Sequence, residues 1–266
     1  MKRIFITGAS SGIGAALAQR YAQQGAALGL VARRGEVLEQ LAASLPNPER
    51  HRIYPLDVTD HAALAQAAAD FIDAMDGIDV VIANAGISHG TLTECAEDLP
   101  VVERIFATNL MATVASFTPF IAALRKQAQS GNRHCRLVGI ASVTGIRGLP
   151  GVGAYSASKA SVISYCESLR VELKSTGIKV VTISPGFIDT PMTRDNRYSM
   201  PFLMPVEKFA ERAVRAIDSG TSYTVIPWQM GIVTKLLRML PNLIYDIALA
   251  KAPHKARNAP EQNEVY

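Results

Sequence analysis

Ile4-Phe5-Ile6-Thr7-Gly8-Ala9-Ser10-Ser11-Gly12-Ile13-Gly14, followed by Ala15-Ala16-Leu17-Ala18-Gln19-Arg20-Tyr21, opens the chain. The first three residues form a short apolar run with the character of a buried strand, and Ala15 to Tyr21 read as helix. Between them lies a turn in which Gly8 permits a sharp bend, Gly12 lets backbone approach a pyrophosphate and Gly14 lets the helix pack close to the strand. Ser10, Ser11 and Ile13 complete the turn. The helix start that follows offers unpaired N–H groups and the positive end of a dipole to phosphate. A glycine-rich turn is a weak signal alone. At the first strand of a βαβ unit it is specific for a dinucleotide.

Outward from this corner the pattern repeats. Ala26 to Ala32 form a second strand ending in Arg33-Arg34. A dinucleotide site that prefers a free ribose 2′-hydroxyl carries an acid there, and a guanidinium suits a 2′-phosphate. The alternative is a solvated arginine at a strand end; the missing acid and the present base together favour NADP, with NAD as second choice. Helix Glu36 to Ser44, strand Ile53 to Leu56 running into Asp57-Val58, helix Ala62 to Met75, and strand Ile78 to Ala83 running into Asn84-Ala85-Gly86 come next. Strands alternating with helices predict an α/β fold: a parallel sheet with helices on both faces. Ligands in such sheets sit beyond the carboxyl ends of the strands.

The composition agrees. The chain has 266 residues, 48% hydrophobic and 19% charged, which suits one folded core. A net charge of +4 fits an anionic small ligand and is too mild and dispersed for nucleic acid. Cys95, Cys135 and Cys166 form no CxxC pair and read as reduced thiols of a cytoplasmic protein. No metal-type His/Cys cluster appears, so no metal is expected. The short apolar start does not read as a signal peptide, and no uninterrupted apolar run approaches roughly 20 residues.

Farther on, Val101 to Gln129 predicts a long helix containing Asn109, kinked or divided at Pro119. Strand Arg136 to Ala141 ends at Ser142. A glycine- and proline-rich loop follows, and then a helix to about Thr176 bearing Tyr155-Ser156-Ala157-Ser158-Lys159. Residues at i and i+4 share one helical face, so the Tyr155 phenol and the Lys159 ammonium can enter one cleft. A nearby positive charge favours phenolate and makes tyrosine a usable acid or base. Strand Ile178 to Ile183 leads to Ser184-Pro185-Gly186. An irregular stretch to Met204 then either covers the core or meets substrate. Helix Val206 to Asp218 and strand Tyr223 to Ile226 complete the sheet.

The catalytic domain is thus expected over 1–227, with 228–266 as an apolar helical extension and a loose polar tail from Lys251 to Tyr266. The extension can pack on its own subunit or a partner, form a flap over the cleft, or lie on a membrane surface; the first two are preferred.

Thr7-Gly8-x-x-x-Gly12-Ile13-Gly14, Asp57, Asn84-Ala85-Gly86, Asn109, Ser142, Tyr155-x-x-x-Lys159 and Pro185-Gly186 followed by Thr190 together resemble the short-chain dehydrogenase/reductases, in order over roughly residues 2 to 227. The string Val31-Ala32-Arg33-Arg34 is most similar to NADP-linked ketone and hydroxysteroid-type reductases of that family. The resemblance implies a single doubly wound Rossmann-type parallel sheet of about seven strands, order 3-2-1-4-5-6-7, and interconversion of a carbonyl and a secondary alcohol. It makes Tyr155 the proton donor or base. Lys159 would bind the nicotinamide ribose and acidify Tyr155, Ser142 would hydrogen-bond the reacting oxygen, and Asn109 would hold a relay water. It further implies Asp57 and Val58 at the adenine, Asn84 at the ribose, and Ile188 and Thr190 at the carboxamide. NADP-using members often carry a base where this chain has Ser11, which leaves the 2′-phosphate to Arg33 and Arg34.

The apolar loop and extension suggest a hydrophobic small-molecule substrate. Phe106, Val114, Phe117, Val162 and Leu169 read as surplus apolar positions on helices through which many relatives pair, giving a homodimer or homotetramer. Two other classes compete: a sugar-nucleotide epimerase or dehydratase, for which the roughly forty residues after the sheet leave little room, and a non-catalytic NADP-sensing module, against which the intact polar set stands.

Overall fold

The computed structural model describes residues 1–194, 199–250, 255 and 257. Its main sheet has seven parallel strands: β1 (Arg3–Thr7), β2 (Ala27–Ala32), β3 (His51–Pro55), β4 (Val80–Ala83), β5 (Arg136–Ile140), β6 (Lys179–Pro185) and β9 (Tyr223–Ile226), in the order β3-β2-β1-β4-β5-β6-β9. This is the expected order. A two-residue pair, β7 (Ile188–Asp189) with β8 (Met204–Pro205), precedes the last strand and makes it ninth in the chain.

Every residue of β2, β4 and β5 is buried, because helices cover both faces and leave no solvent side that would favour polar alternation. Alternating side chains divide the core in two. Ile4 and Ile6 point to the side packed by Leu17 and Tyr21 of α1 (Gly12–Gln23) and Phe209 and Ile217 of α9 (Val206–Ser219). Phe5 points to the other side, against Phe71 of α3 (His61–Met75) and Phe120, with ring centroids 5.6 and 4.8 Å away.

The long helical run departs from expectation. It consists of α4 (Leu99–Phe106), a π-helical turn (Ala107–Met111), α5 (Ala112–Phe117), a 3₁₀ turn (Thr118–Phe120) and α6 (Ile121–Gln129). Pro119 causes the second break, having no N–H to donate. The first break centres on Asn109, and π turns collect at functional positions. The stretch Ala96–Gln129 is long and apolar enough to cross a membrane by length and composition, but Ile105, Phe117, Phe120 and Leu124 are fully buried in the fold.

Two further expectations are corrected. Phe117, Val162 and Leu169, assigned to a partner subunit, are 0, 0 and 5% exposed and belong to this subunit's own core; only Phe106 and Val114 are partly exposed. The irregular stretch carries the β7–β8 pair and a short helix α8 (Pro191–Arg194), while its residues 195–198 lie outside the described residues. The remaining elements are α2 (Gly35–Ser44), α7 (Gly153–Glu172), α10 (Trp228–Met239) and α11 (Asn242–Leu249). The three cysteines are free thiols, and no group of metal-binding side chains occurs among the described residues.

Candidate active site

The site lies where the carboxyl ends of β1, β4 and β5 meet α1, α7 and the π turn. Gly8 adopts φ +66°, which favours glycine. A Cβ on Gly14 would fall 2.1 Å from the Gly8 carbonyl oxygen and 2.7 Å from Asn84 Nδ2, so α1 approaches the strand as only glycine allows. Ser11, at the N-cap of α1, makes no side-chain cap bond, and no acid occupies the first turn. The helix start therefore keeps backbone donors and its positive dipole end for an anion.

Asn84 has a task within the protein itself. Its Nδ2 donates to the carbonyls of Thr7 (3.0 Å) and Gly8 (3.1 Å), while the Thr7 hydroxyl accepts from the N–H groups of Asn84 (3.1 Å) and Ala85 (3.2 Å). Asn84 shapes the glycine turn. Thr7, quoted in the motif without a role, is its counterpart.

At the ends of β2 and β3, the Arg33 guanidinium stands 3.9 Å from the Asp57 carboxylate with both side chains about half exposed. Arg34 Nη2 donates to Ser10 Oγ at 3.1 Å. Asp57 Oδ1 accepts from the backbone N–H (2.9 Å) and hydroxyl (2.8 Å) of Thr59, which fixes the loop. Val58 is 7% exposed and its side chain packs in the core. The fold thus sets two arginines at the edge where an additional phosphate would lie.

The polar centre is built from separate segments. Lys159 is 4% exposed; its Nζ donates to the Ile140 carbonyl at 2.8 Å and stands 5.9 Å from the centroid of the Tyr155 ring. Burial pushes its ammonium down to about 8 from an ordinary 10.5. Ser142, two residues beyond Ile140, accepts at Oγ from the Thr144 N–H (3.2 Å) and the Thr144 hydroxyl (3.0 Å). Both lone pairs are thereby engaged, leaving the hydroxyl proton as what Ser142 can offer a reacting oxygen. Gly145 presses this loop onto α7: a Cβ there would come within 2.7–2.9 Å of backbone atoms of Lys159 and Ala160. Gly86 lies between the other two polar groups, its notional Cβ 3.1 Å from Asn109 Oδ1 and 3.3 Å from Lys159 Nζ.

Asn109 is completely buried. Its Oδ1 accepts from Ile87 N (2.8 Å), and its Nδ2 donates to the Ile87 carbonyl (3.0 Å) and Ser158 Oγ (2.9 Å). Ser158 Oγ in turn donates to the Tyr155 carbonyl at 2.8 Å. Both amide hydrogens are spent in the protein, so the side chain clamps the turn bearing Tyr155 to the loop after β4. Ser158 was legible only as a residue between Tyr155 and Lys159; nothing in the spacing signals its bond.

Beyond β6, Gly186 N donates to the Ile226 carbonyl at 2.9 Å, which carries Pro185-Gly186 past the sheet edge. Ile188 is buried, and its carbonyl accepts from the Thr193 hydroxyl at 2.6 Å. Thr190 Cβ would be 3.3 Å from a Cβ on Gly12, so this loop closes over the glycine turn.

No motif singles out Arg147, whose partners lie about ninety residues away. Its Nη1 donates to the carbonyls of Leu237 (2.6 Å), Arg238 (3.2 Å) and Leu240 (2.8 Å), and its Nη2 to Asn242 Oδ1 (3.2 Å). The guanidinium carbon sits 3.8 Å from the centroid of the Tyr245 ring, and the Tyr245 hydroxyl donates to the Gly148 carbonyl. The loop after Ser142 thus ties down the end of α10 and α11. Of the tail expected to be loose, Lys255 donates to Ser88 Oγ at 3.3 Å, and Arg257 bonds to Asp98 (3.0 and 3.2 Å) and Glu97 (2.8 Å). At these two positions the tail is held to the loop after β4; the rest of 251–266 lies outside the described residues.

A nicotinamide dinucleotide fits this arrangement. The Gly14 cradle and the uncapped start of α1 would take the pyrophosphate. Lys159 has two N–H groups beyond its bond to Ile140 for ribose hydroxyls, and Ser142 and Tyr155 would face the reacting carbon.

A family profile described as short chain dehydrogenase matches residues 2–200. An uncharacterized oxidoreductase of Myxococcus xanthus is 36% identical over 91% of this chain and 94% of its own. One from Mycobacterium tuberculosis is 37% identical, covering 90% of this chain and 94% of its own. Among solved structures, the 3-ketoacyl-(acyl-carrier-protein) reductase from Brucella melitensis complexed with NADH superimposes with a TM-score of 0.77 at 25% identity, covering 85% of this chain and 96% of that one.

Proposed function

The chain belongs to the short-chain dehydrogenase/reductase family and is an oxidoreductase using a nicotinamide cofactor, and from that premise we propose that it interconverts a carbonyl and a secondary alcohol on a hydrophobic small molecule, with NADP preferred over NAD. One observation carries this reading: the buried Lys159 ammonium, 5.9 Å from the Tyr155 ring, on a helix that the Ser142 loop packs against.

The nicotinamide supplies the hydride in reduction and accepts it in oxidation. As negative charge develops on the carbonyl oxygen, the Ser142 hydroxyl and the Tyr155 phenol donate to it from fixed positions. Tyr155 passes its proton to that oxygen, and the nearby Lys159 charge stabilises the phenolate left behind. Asn109 keeps α7 in register through Ser158 rather than touching the reacting atoms. Oxidation runs the same groups backwards, with Tyr155 as the base. Arg33 and Arg34 support the NADP preference through charge and position, and the apolar loop residues Met192, Phe202 and Leu203, each about half exposed, support an apolar substrate. A carbonyl on a 3-ketoacyl chain, the substrate named for the Brucella relative, falls within this class. Subunit pairing through α4–α5 rests on Phe106 and Val114.

The test is Tyr155→Phe. It removes one hydroxyl without changing the ring, so folding and NADPH binding should persist while turnover over a ketone panel falls by about 10²–10⁴. Turnover within a few-fold of the parent would remove Tyr155 from the mechanism.

A further inference from the structure

Helices α10 and α11 present an apolar surface that neither the sheet nor the polar centre uses. On α10 the inward side consists of Met230, Gly231 and Thr234, all buried. On the outward side Trp228, Ile232, Leu236 and Met239 stand 61, 51, 60 and 79% exposed; their i, i+4, i+8, i+11 spacing puts them in one row. On α11 Tyr245 turns inward to Arg147 and Gly148, while Leu243, Ile244 and Ile247 stand 73, 52 and 72% exposed. Seven large apolar side chains, each at least half exposed, exceed the isolated apolar residues of an ordinary monomer surface, whose largest patch is roughly 300–600 Å². The face is rigidly mounted, since Arg147 bonds to three carbonyls at the end of α10 and to Asn242 at the start of α11.

Charge indicates what covers it. Lys235 lies within the α10 row and Arg238 beside it, both exposed, and Asp246 is the one acid from Trp228 to Ala250. A twofold contact between copies through this face would bury Lys235 and Arg238 with only Asp246 of the same stretch to pair them, and a charge buried without a partner is costly. An anionic surface accepts both, and long basic side chains can keep their charge at its headgroups while their stems lie along apolar surface. Trp228, the single tryptophan of the chain, ends the row, and indole favours the boundary between headgroup and acyl chain.

We propose that the α10–α11 face docks reversibly on an anionic lipid bilayer, the helices lying in the plane of the interface. Arg147 then joins the docked helices to the loop that begins at Ser142. Resting on the functional reading above, an apolar carbonyl compound would enter from the bilayer.

Trp228 reports the docking. Phosphatidylglycerol vesicles at low salt should shift its emission to the blue and carry the protein down on sedimentation. Phosphatidylcholine vesicles, or about 0.5 M salt, should weaken binding at least tenfold. The exposed double variant Ile232→Ser, Ile247→Ser should keep its circular dichroism and its turnover of a water-soluble ketone while losing at least tenfold in vesicle binding. Unchanged emission with the protein left in the supernatant would overturn the proposal. So would a blue shift without lipid that rises with protein concentration alongside a larger species in sedimentation velocity, since the face would then serve self-association. Because vesicle binding needs no turnover, failure of the functional reading would show as absent ketone reduction with vesicle binding intact.

Discussion

Replacing Lys159 by methionine should separate what the site does from what it costs the fold. In the folded protein burial lowers this amine from 10.5 to about 8. Well above 10.5 it is neutral whether the chain is folded or not, and it contributes no pH-dependent term. Below about 8 it is charged in both states, and the folded protein bears the whole expense of holding a charge out of water. A gap of 10.5 to about 8 corresponds to something on the order of 3 kcal/mol. Methionine is unbranched and apolar, and it removes that term. It also removes the 2.8 Å bond to the Ile140 carbonyl, and an orphaned buried acceptor costs about 1–3 kcal/mol. These contributions nearly cancel at pH 7, but only the first depends on pH. Urea unfolding of the cofactor-free parent and Lys159→Met from pH 7 to pH 10 should therefore show the variant's relative stability falling by on the order of 2–3 kcal/mol as pH rises. Titrating groups that Lys159 does not influence are common to both proteins and drop out of the difference. Carbonyl reduction should be lost in the variant at every pH. A stability difference that stays constant across this range, or grows in the variant's favour, would refute the account of Lys159 as a buried charge kept for function.

Gly14→Ala should destabilise by roughly 1–3 kcal/mol and weaken dinucleotide binding, because the added carbon meets backbone 2.1 Å away; an unchanged melting temperature and unchanged cofactor titration would contradict the close packing. Arg33→Asp places a second acid beside Asp57 and should weaken NADPH at least tenfold more than NADH, whereas equal losses in fluorescence titrations would show that Arg33 is no 2′-phosphate ligand. Arg147→Ala removes the polar clamp on α10 and α11 while leaving the sheet untouched. Limited proteolysis should then cut first near Pro241 with global stability changed by less than about 2 kcal/mol, and a digestion pattern like the parent's would argue against the clamp.

What could be foreseen and what could not divide by the range of the interactions. The glycine turn, the alternation of strands and helices and the Tyr155–Lys159 pair arise from local geometry: a turn demanding glycine, strands that bury both faces, and a four-residue spacing that stacks two side chains. Such features follow from neighbours along the chain, and they appear as anticipated.

The partners of individual polar groups were beyond that reach. Whether Asn84 Nδ2 reaches the glycine turn, whether Asn109 spends its amide on Ile87 and Ser158, and whether Phe117 and Leu169 meet this core depend on which segments lie within about 3 Å or share a buried face. Asn84 and its partners are 76 and 77 positions apart, and Arg147 and its partners 90 to 95. Over such separations a residue type states only what bonds it can make, because many partners of equal chemistry lie along the chain. The amino-acid sequence by itself determined the fold class and the chemical groups of the site; the packing of distant segments alone decided which of those groups remain free to act, since a donor already satisfied inside the protein has nothing left to offer a substrate.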